Sequence, residues 1–312
     1  TPTSSGSESG DVTKLLIQSW WTSGGDKKAF DALLDAFDEK YPEYSYTRNP
    51  VAGGAGQNLH TVIKNKVLNG NPPSTWQDWP GANLTPYTEA GALKDIEESV
   101  WSKNGMKDAY MGGPMKAAKP GGNFVCVPLN IHRINNLFYN VEIVEKAGVD
   151  PSSLSSPADL LEAMKAVDEN TDAAGMTQQT SSPWSTLQLW AGVLLAQSGP
   201  ETYSTFMTGD ASSVEDEVTN ALQTIKDFSQ YYTDDAGSID SVQSRNNIVN
   251  GNAAFIHDGD WTAGTFDSVD GFDYEDNWDQ VTFPGTSGIY QLNMDSFMYP
   301  AENPTPEATT AW

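Results

Sequence analysis

The most constraining feature of the sequence is the switching between two hydrophobic periods over its first 80 residues. Residues 14–18 (KLLIQ) read as a strand. Residues 26–40 carry Phe30, Leu33, Leu34 and Phe37 at the i, i+3, i+4, i+7 spacing of one helix face. Asp26 stands at the N-cap of that helix, and Pro42 follows its end. A second strand covers 43–48, with Tyr44 and Tyr46 on one face. The Gly-rich turn VAGGAGQN then leads into a helix over 57–68, apolar at Leu59, Val62, Ile63 and Val67. A third strand, STWQDW, spans 74–79. This β-α-β-α-β order predicts an α/β fold. Open α/β sheets bind ligands beyond the carboxyl ends of their strands. Trp20, Trp21, Gln77 and Trp79 all fall at such ends.

The rest of the chain keeps the alternation but favours helix. Apolar runs at 124–129 and 134–139 flank a polar turn with His132 and Arg133, and read as a long connection between two lobes. Helical patterns cover 141–147, 157–167, 184–196, 214–231 and 240–250. Strand character returns in AAFIH, NWDQVTFPG and DSFMYP. At the far end, Thr305 and Pro306 are placed as the N-cap and first residue of a helix that has hardly begun at Trp312, so the chain reads as lacking a C-terminal segment. At 312 residues there is material for two domains.

Charge narrows the function classes. Asp and Glu total 42 against 17 Lys and Arg, a net charge of −25, which argues against a polyanionic partner such as nucleic acid. The acids are spread rather than gathered in a tail, and low Lys with high Asp favours a halophilic source, where salt screens the repulsion. The single cysteine, Cys126, excludes an intramolecular disulfide and sits in an apolar strand-like run. No 18-residue apolar stretch exists to span a membrane. Residues 1–10, TPTSSGSESG, read as a flexible linker, suited to tether an exported protein. Asn83-Leu84-Thr85 is one glycosylation sequon.

The chemistry-bearing residues point to binding rather than catalysis. Ten tryptophans are present, and Trp20, Trp21, Trp76, Trp79, Trp184 and Trp261 lie in loop-like contexts beside polar residues. An indole face covers the C–H face of a sugar ring while amides, carboxylates and imidazoles bond its hydroxyls. The three histidines have no metal-ligand spacing, so no metal site is expected. His60 reads as a packing or surface residue, and His132, beside Asn130 and Arg133, as the site candidate. No G-x-S-x-G elbow or P-loop ending occurs. Asp260 and Asp295 lie in aromatic-rich contexts and are the acid pair that a reading as a sugar-active enzyme, a glycosidase or lyase, would nominate. A surface lectin is a third reading.

A series of motifs then decides among these. In order they are SWW at 19–21, DEKYP at 38–42, GGAG at 53–56, NPPSTWQ at 71–77, VPLNIHR at 127–133, SPWSTLQLW at 182–190, GNAAFIHDGDWTAG at 251–264 and PGTSGIYQLNMDSF at 284–297. The series resembles the sugar-binding proteins that feed ABC importers, in the glucose-binding branch known from thermophilic bacteria and haloarchaea. The resemblance implies a two-lobe, type II periplasmic-binding-protein-like α/β fold with hinge-crossing strands and a sugar held in the cleft. It implies lobes of 11–127 plus 270–312 and of 128–269, a monosaccharide ligand such as glucose, no cofactor, and no enzyme activity. An ABC permease is the implied partner of a monomeric, extracellular protein held by an N-terminal lipid anchor. The family's stacking tryptophan matches Trp261, its amide Gln77 and its carboxylate Asp295, with Trp20 and Trp21 in the first loop. Asp26 stands near a family acidic position, one residue out of step. Trp79 replaces a histidine of relatives, and Ser241 a second stacking tryptophan. Trp20, Trp21, Asp26, Gln77, Trp79, His132, Trp184, Trp261 and Asp295 are the expected ligand contacts, and no metal ligand is expected among them.

Overall fold

A computed structural model describes residues 12–22, 24–53, 56–103 and 105–312. The expected linker at 1–10 and residues 54–55 of the GGAG motif lie outside the described residues. Nine strands occur among the described residues: β1 Lys14–Gln18, β2 Ser45–Arg48, β3 Thr75–Asp78, β4 Cys126–Arg133, β5 Asn136–Asn140, β6 Ala174–Met176, β7 Ala253–Asp258, β8 Trp278–Thr282 and β9 Leu292–Met298. The chain divides into two compact units, one of residues 1–131 with 294–312 and one of residues 132–293.

In the first unit, five strands run in the order β2-β1-β3-β9-β4. β1 is parallel to β2 and β3, and β3 is antiparallel to β9 through Gln77↔Phe297 and Asp78↔Ser296. Alternation along β1 sends Leu15 and Ile17 into a core with Phe30, Leu34 and Phe37 of the helix Gly24–Lys40. That helix begins at Gly24, so Asp26 lies inside its first turn, not at the N-cap, where its charge still complements the helix dipole. A second core gathers Leu59, Ile63 and Val67 of the helix Gln57–Leu68 with Trp76, Tyr87 and Trp101. Val62, expected inward, is 37 % exposed. Trp76, grouped above with the loop aromatics, is fully buried.

In the second unit, four strands run in the order β6-β7-β5-β8. β5 is antiparallel to both β7 and β8, and β6 is parallel to β7. The largest core packs Leu160, Met164 and Val167 with Leu189, Trp190 and Leu194 against Leu137 and Phe255. Leu189, Trp190 and Leu194 belong to the helix Pro183–Met207, which runs past the expected end and is broken at Gly199 (φ 81°, ψ 175°) before Pro200. Asp240 caps the helix Ser241–Val249 with a reciprocal capping box to Gln243. His257 is fully buried, and burial holds its imidazole down to about 4.

Two boundaries differ from the sequence reading. Strand β4 runs unbroken through His132 and Arg133, so no turn forms there, and the chain passes between units at 131/132 within it. The return passage is at 293/294, within β9, not at 269/270. Residues 270–293 therefore belong to the second unit, because β8 pairs along its whole length with β5, from Asn136↔Thr282 to Asn140↔Trp278.

Candidate functional site: two tryptophan clusters

In the first unit the site grows from the ends of β1 and β3. Gln77, fully buried, accepts from the Ser19 hydroxyl (2.6 Å) and from the Trp20 amide (3.2 Å), and so ties the two strand ends together. Its Nε2 has no hydrogen-bond partner in the chain, and both amide atoms of neighbouring Gln18 are in the same state. Native interiors rarely leave such atoms unpaired without a reason. Past these ends, partly buried Trp20 and Trp79 meet edge-to-face at 6.1 Å between centroids. His60 stands edge-on to both, at 5.6 and 4.8 Å. Its Nε2 lies 3.0 Å from Asp78 Oδ1. Asp78 also accepts from the Trp79 amide (2.8 Å) and the Trp76 indole N–H (3.3 Å). A pocket of about 210 Å³ opens beside His60 and Asp78, with Thr61, Lys64, Asn83 and Tyr87 in its wall. Burial and the nearby Asp78 charge push the Tyr87 phenol well up, so it stays neutral.

Adjacent side chains of an extended segment point opposite ways. Trp20 accordingly faces the His60–Trp79 cluster, while Trp21 is only 3 % exposed and packs edge-to-face on Phe30 (5.7 Å) and Phe297 (6.2 Å). Trp21, expected among the ligand contacts, is thus packed in the core with Phe30 and Phe297.

In the second unit the site forms where β4 runs beside the loop after β7. Asp260 Oδ1 is 2.6 Å from His132 Nδ1, and Oδ2 accepts from the Arg133 amide at 3.0 Å. The Asp260 amide donates back to the Arg133 carbonyl at 3.0 Å. Burial works to raise the Asp260 carboxyl, but the bonds from His132 and the Arg133 amide outweigh it, and the group lies below the usual carboxylate range. His132 meets the Trp261 ring edge-on at 4.9 Å, and Trp184 meets it at 6.5 Å. The Arg133 guanidinium is anchored on the Thr282 hydroxyl at 2.8 Å.

The structure thus brings Trp20, Gln77 and Trp79 together in one unit, and His132, Trp184 and Trp261 in the other. Asp295, on β9, is 4 % exposed, and Asp26 is partly buried in the first helical turn. His60, Asp78 and Gln18 were missed by sequence reasoning. The available signal for the first two was a helix opening after a Gly-rich turn beside an acidic strand end. Asp260 does not suit the acid of a glycosidase, which needs a raised pKa. Among the described residues, no three His, Cys, Asp or Glu side chains gather as a metal-binding group, and no helix is long and apolar enough to cross a membrane.

Indoles, amides and fixed carboxylates thus gather at strand ends in both units. Comparison with known proteins makes the family definite. Residues 32–312 match the bacterial extracellular solute-binding protein family, and the chain belongs to it. It is 40 % identical over 310 residues to the xylose/arabinose-binding protein XacG of Haloferax volcanii, covering 98 % of this chain and 67 % of that one. It is 32 % identical over 312 residues to an uncharacterised ABC transporter extracellular-binding protein of Pyrococcus horikoshii, covering 100 % of this chain and 69 % of that one. Among solved structures, the bacterial solute receptor AcbH, described as having an exclusive preference for β-D-galactopyranose, shares the fold with a TM-score of 0.81 at 16 % identity, covering 96 % of this chain and 74 % of that one. These relatives are binding proteins, not enzymes.

Proposed function

We propose that this chain captures a monosaccharide outside the cell and delivers it to an ABC permease. The observation that carries the reading is the pair of clusters, each offering an indole beside polar groups already fixed by the fold. In the first unit these are Trp20 with Gln77 and Trp79, and in the second Trp261 with His132, Trp184 and Asp260. An indole face matches the C–H face of a pyranose, and fixed acceptors and donors match its hydroxyls at little entropic cost. The unpaired Gln77 Nε2 is a donor in want of an acceptor, as a sugar hydroxyl would supply. Asp295 and Asp26 are further candidate contacts.

Glucose or a similar hexose is the sugar expected from the motifs, and the named specificity of the Haloferax relative adds the pentoses xylose and arabinose. Calorimetric titration with D-glucose, D-xylose and L-arabinose tests the reading. At least one should bind well below millimolar, and binding of none of them rejects it. We further propose that the protein acts as a monomer, testable by light scattering, and that a lipid anchor holds it at the outer membrane face, testable by mass spectrometry of protein extracted from cell membranes.

A further inference from the structure

We infer that Gly259 is a positioning residue for the stacking tryptophan of the second unit: its bare backbone is the surface on which the Trp261 ring lies. A Cβ built on Gly259 would stand 2.3 Å from Cη2 and Cζ3 of Trp261 and 2.6 Å from Cε3. No real contact is that short, so the indole occupies the volume that any side chain would need. The backbone cannot yield instead. The Gly259 amide donates to Asp258 Oδ1 at 2.9 Å, and its carbonyl accepts from the Thr262 amide at 3.0 Å. Asp258 is in turn held by the buried Arg245 Nε at 2.8 Å, and that Nε also reaches the Thr262 hydroxyl at 3.2 Å. A displaced ring has little room either, with His132 at one edge and Trp184 at another.

The first unit repeats the device. A Cβ on Gly56 would meet Cε3 of Trp20 at 2.8 Å. Gly56 also has φ +99°, which disfavours a side chain for backbone reasons alone. Gly259 has no such φ, so there only the indole excludes one. Preset aromatic anchors bind without first losing rotamer freedom, and here the glycine does the presetting. The effect on affinity rests on the reading that Trp261 meets the sugar, whereas the effect on the ring does not.

The test separates the two. Protein labelled with 5-fluorotryptophan gives fluorine resonances for its ten tryptophans, that of Trp261 being assigned by its loss in Trp261→Phe. Without sugar, Gly259→Ala should shift and broaden the Trp261 signal most. Gly264→Ala, at a glycine in the short helix Trp261–Phe266 with open space around it, should leave the spectrum in place. An unmoved Trp261 signal in Gly259→Ala overturns the inference. A double-mutant cycle guards against a folding defect. Gly259→Ala should lower the melting temperature of wild type but not of Trp261→Ala, and an equal drop in both overturns the inference. Affinity for whichever of D-glucose, D-xylose and L-arabinose wild type binds best should fall roughly thirtyfold in Gly259→Ala, as for loss of an anchor residue. Affinity as in wild type, with the ring displaced, contradicts the role of Trp261 in binding and leaves the positioning intact.

Discussion

The two clusters are built from the same residue types yet anchor their acids differently. Asp78 closes β3 with its side chain 3 % exposed, and it serves the Trp79 amide, the Trp76 indole and His60 from inside the core. Asp260 lies in a loop with its side chain 44 % exposed, and it reaches sideways to the His132 imidazole and the Arg133 amide of β4. The first acid is part of the packing that forms the site. The second is a strut that water can replace. The same trio of tryptophan, histidine and aspartate therefore holds its acid inside the core in one unit and near the surface in the other.

The largest effect separates the adjacent tryptophans of the first unit. Trp21→Ala should cost about 3–5 kcal/mol of unfolding free energy in urea, the range for a buried aromatic, and Trp20→Ala less than half as much. Equal losses would erase the division between core and cluster. Next comes an acid limb belonging to the second unit. His257 is buried neutral, with its folded value near 4 against 6.5 when exposed. Its unfolded form binds the proton first, so stability should fall as pH drops from about 6.5 to about 4, by about 3 kcal/mol in all. His257→Leu should flatten that limb, and a limb that persists unchanged assigns it elsewhere. Asp260 acts in a separate window. Its folded pKa is depressed, so its contribution is present above about pH 4 and is lost only in stronger acid.

Smaller effects test the acids themselves. Asp78→Ala strands buried donors and should cost about 2–3 kcal/mol. Asp260→Ala should cost under about 1 kcal/mol while weakening sugar binding. A reversal of that order, read from paired urea and calorimetric titrations, would break the comparison. The smallest and most diffuse effect is salt. With 25 excess negative charges, the melting temperature should rise with potassium chloride for wild type and for all these variants alike. A melting temperature indifferent to salt would remove the case for a surface adapted to brine.

The local architecture was legible because it is periodic. Leu15 and Ile17 and the Phe30–Leu34–Phe37 face are short-range patterns, and each formed where its spacing put it. What was not legible depends on distant partners. Nothing within residues 270–293 announces that β8 will pair with β5, some 140 positions earlier, so the second unit boundary was misplaced. The polar run at 130–133 looks like a turn, but it continues as strand because β4 carries the chain from one unit into the next. For the site, the strand ends named Trp20, Gln77 and Trp79, but not which of two adjacent indoles would be buried. His60 looked like an ordinary helix residue, because its partner Asp78 is brought to it only by the packing of the helix Gln57–Leu68 over β3.

We propose that Trp20 and Trp261 each take part in binding a monosaccharide. Titrating wild type, Trp20→Ala and Trp261→Ala with D-glucose, D-xylose and L-arabinose in the calorimeter tests it most directly. At least one sugar should bind wild type below millimolar, with a loss of roughly thirtyfold or more in each variant, as for aromatic anchor residues. Wild-type affinity retained by either variant, or no sugar bound by wild type, would contradict it.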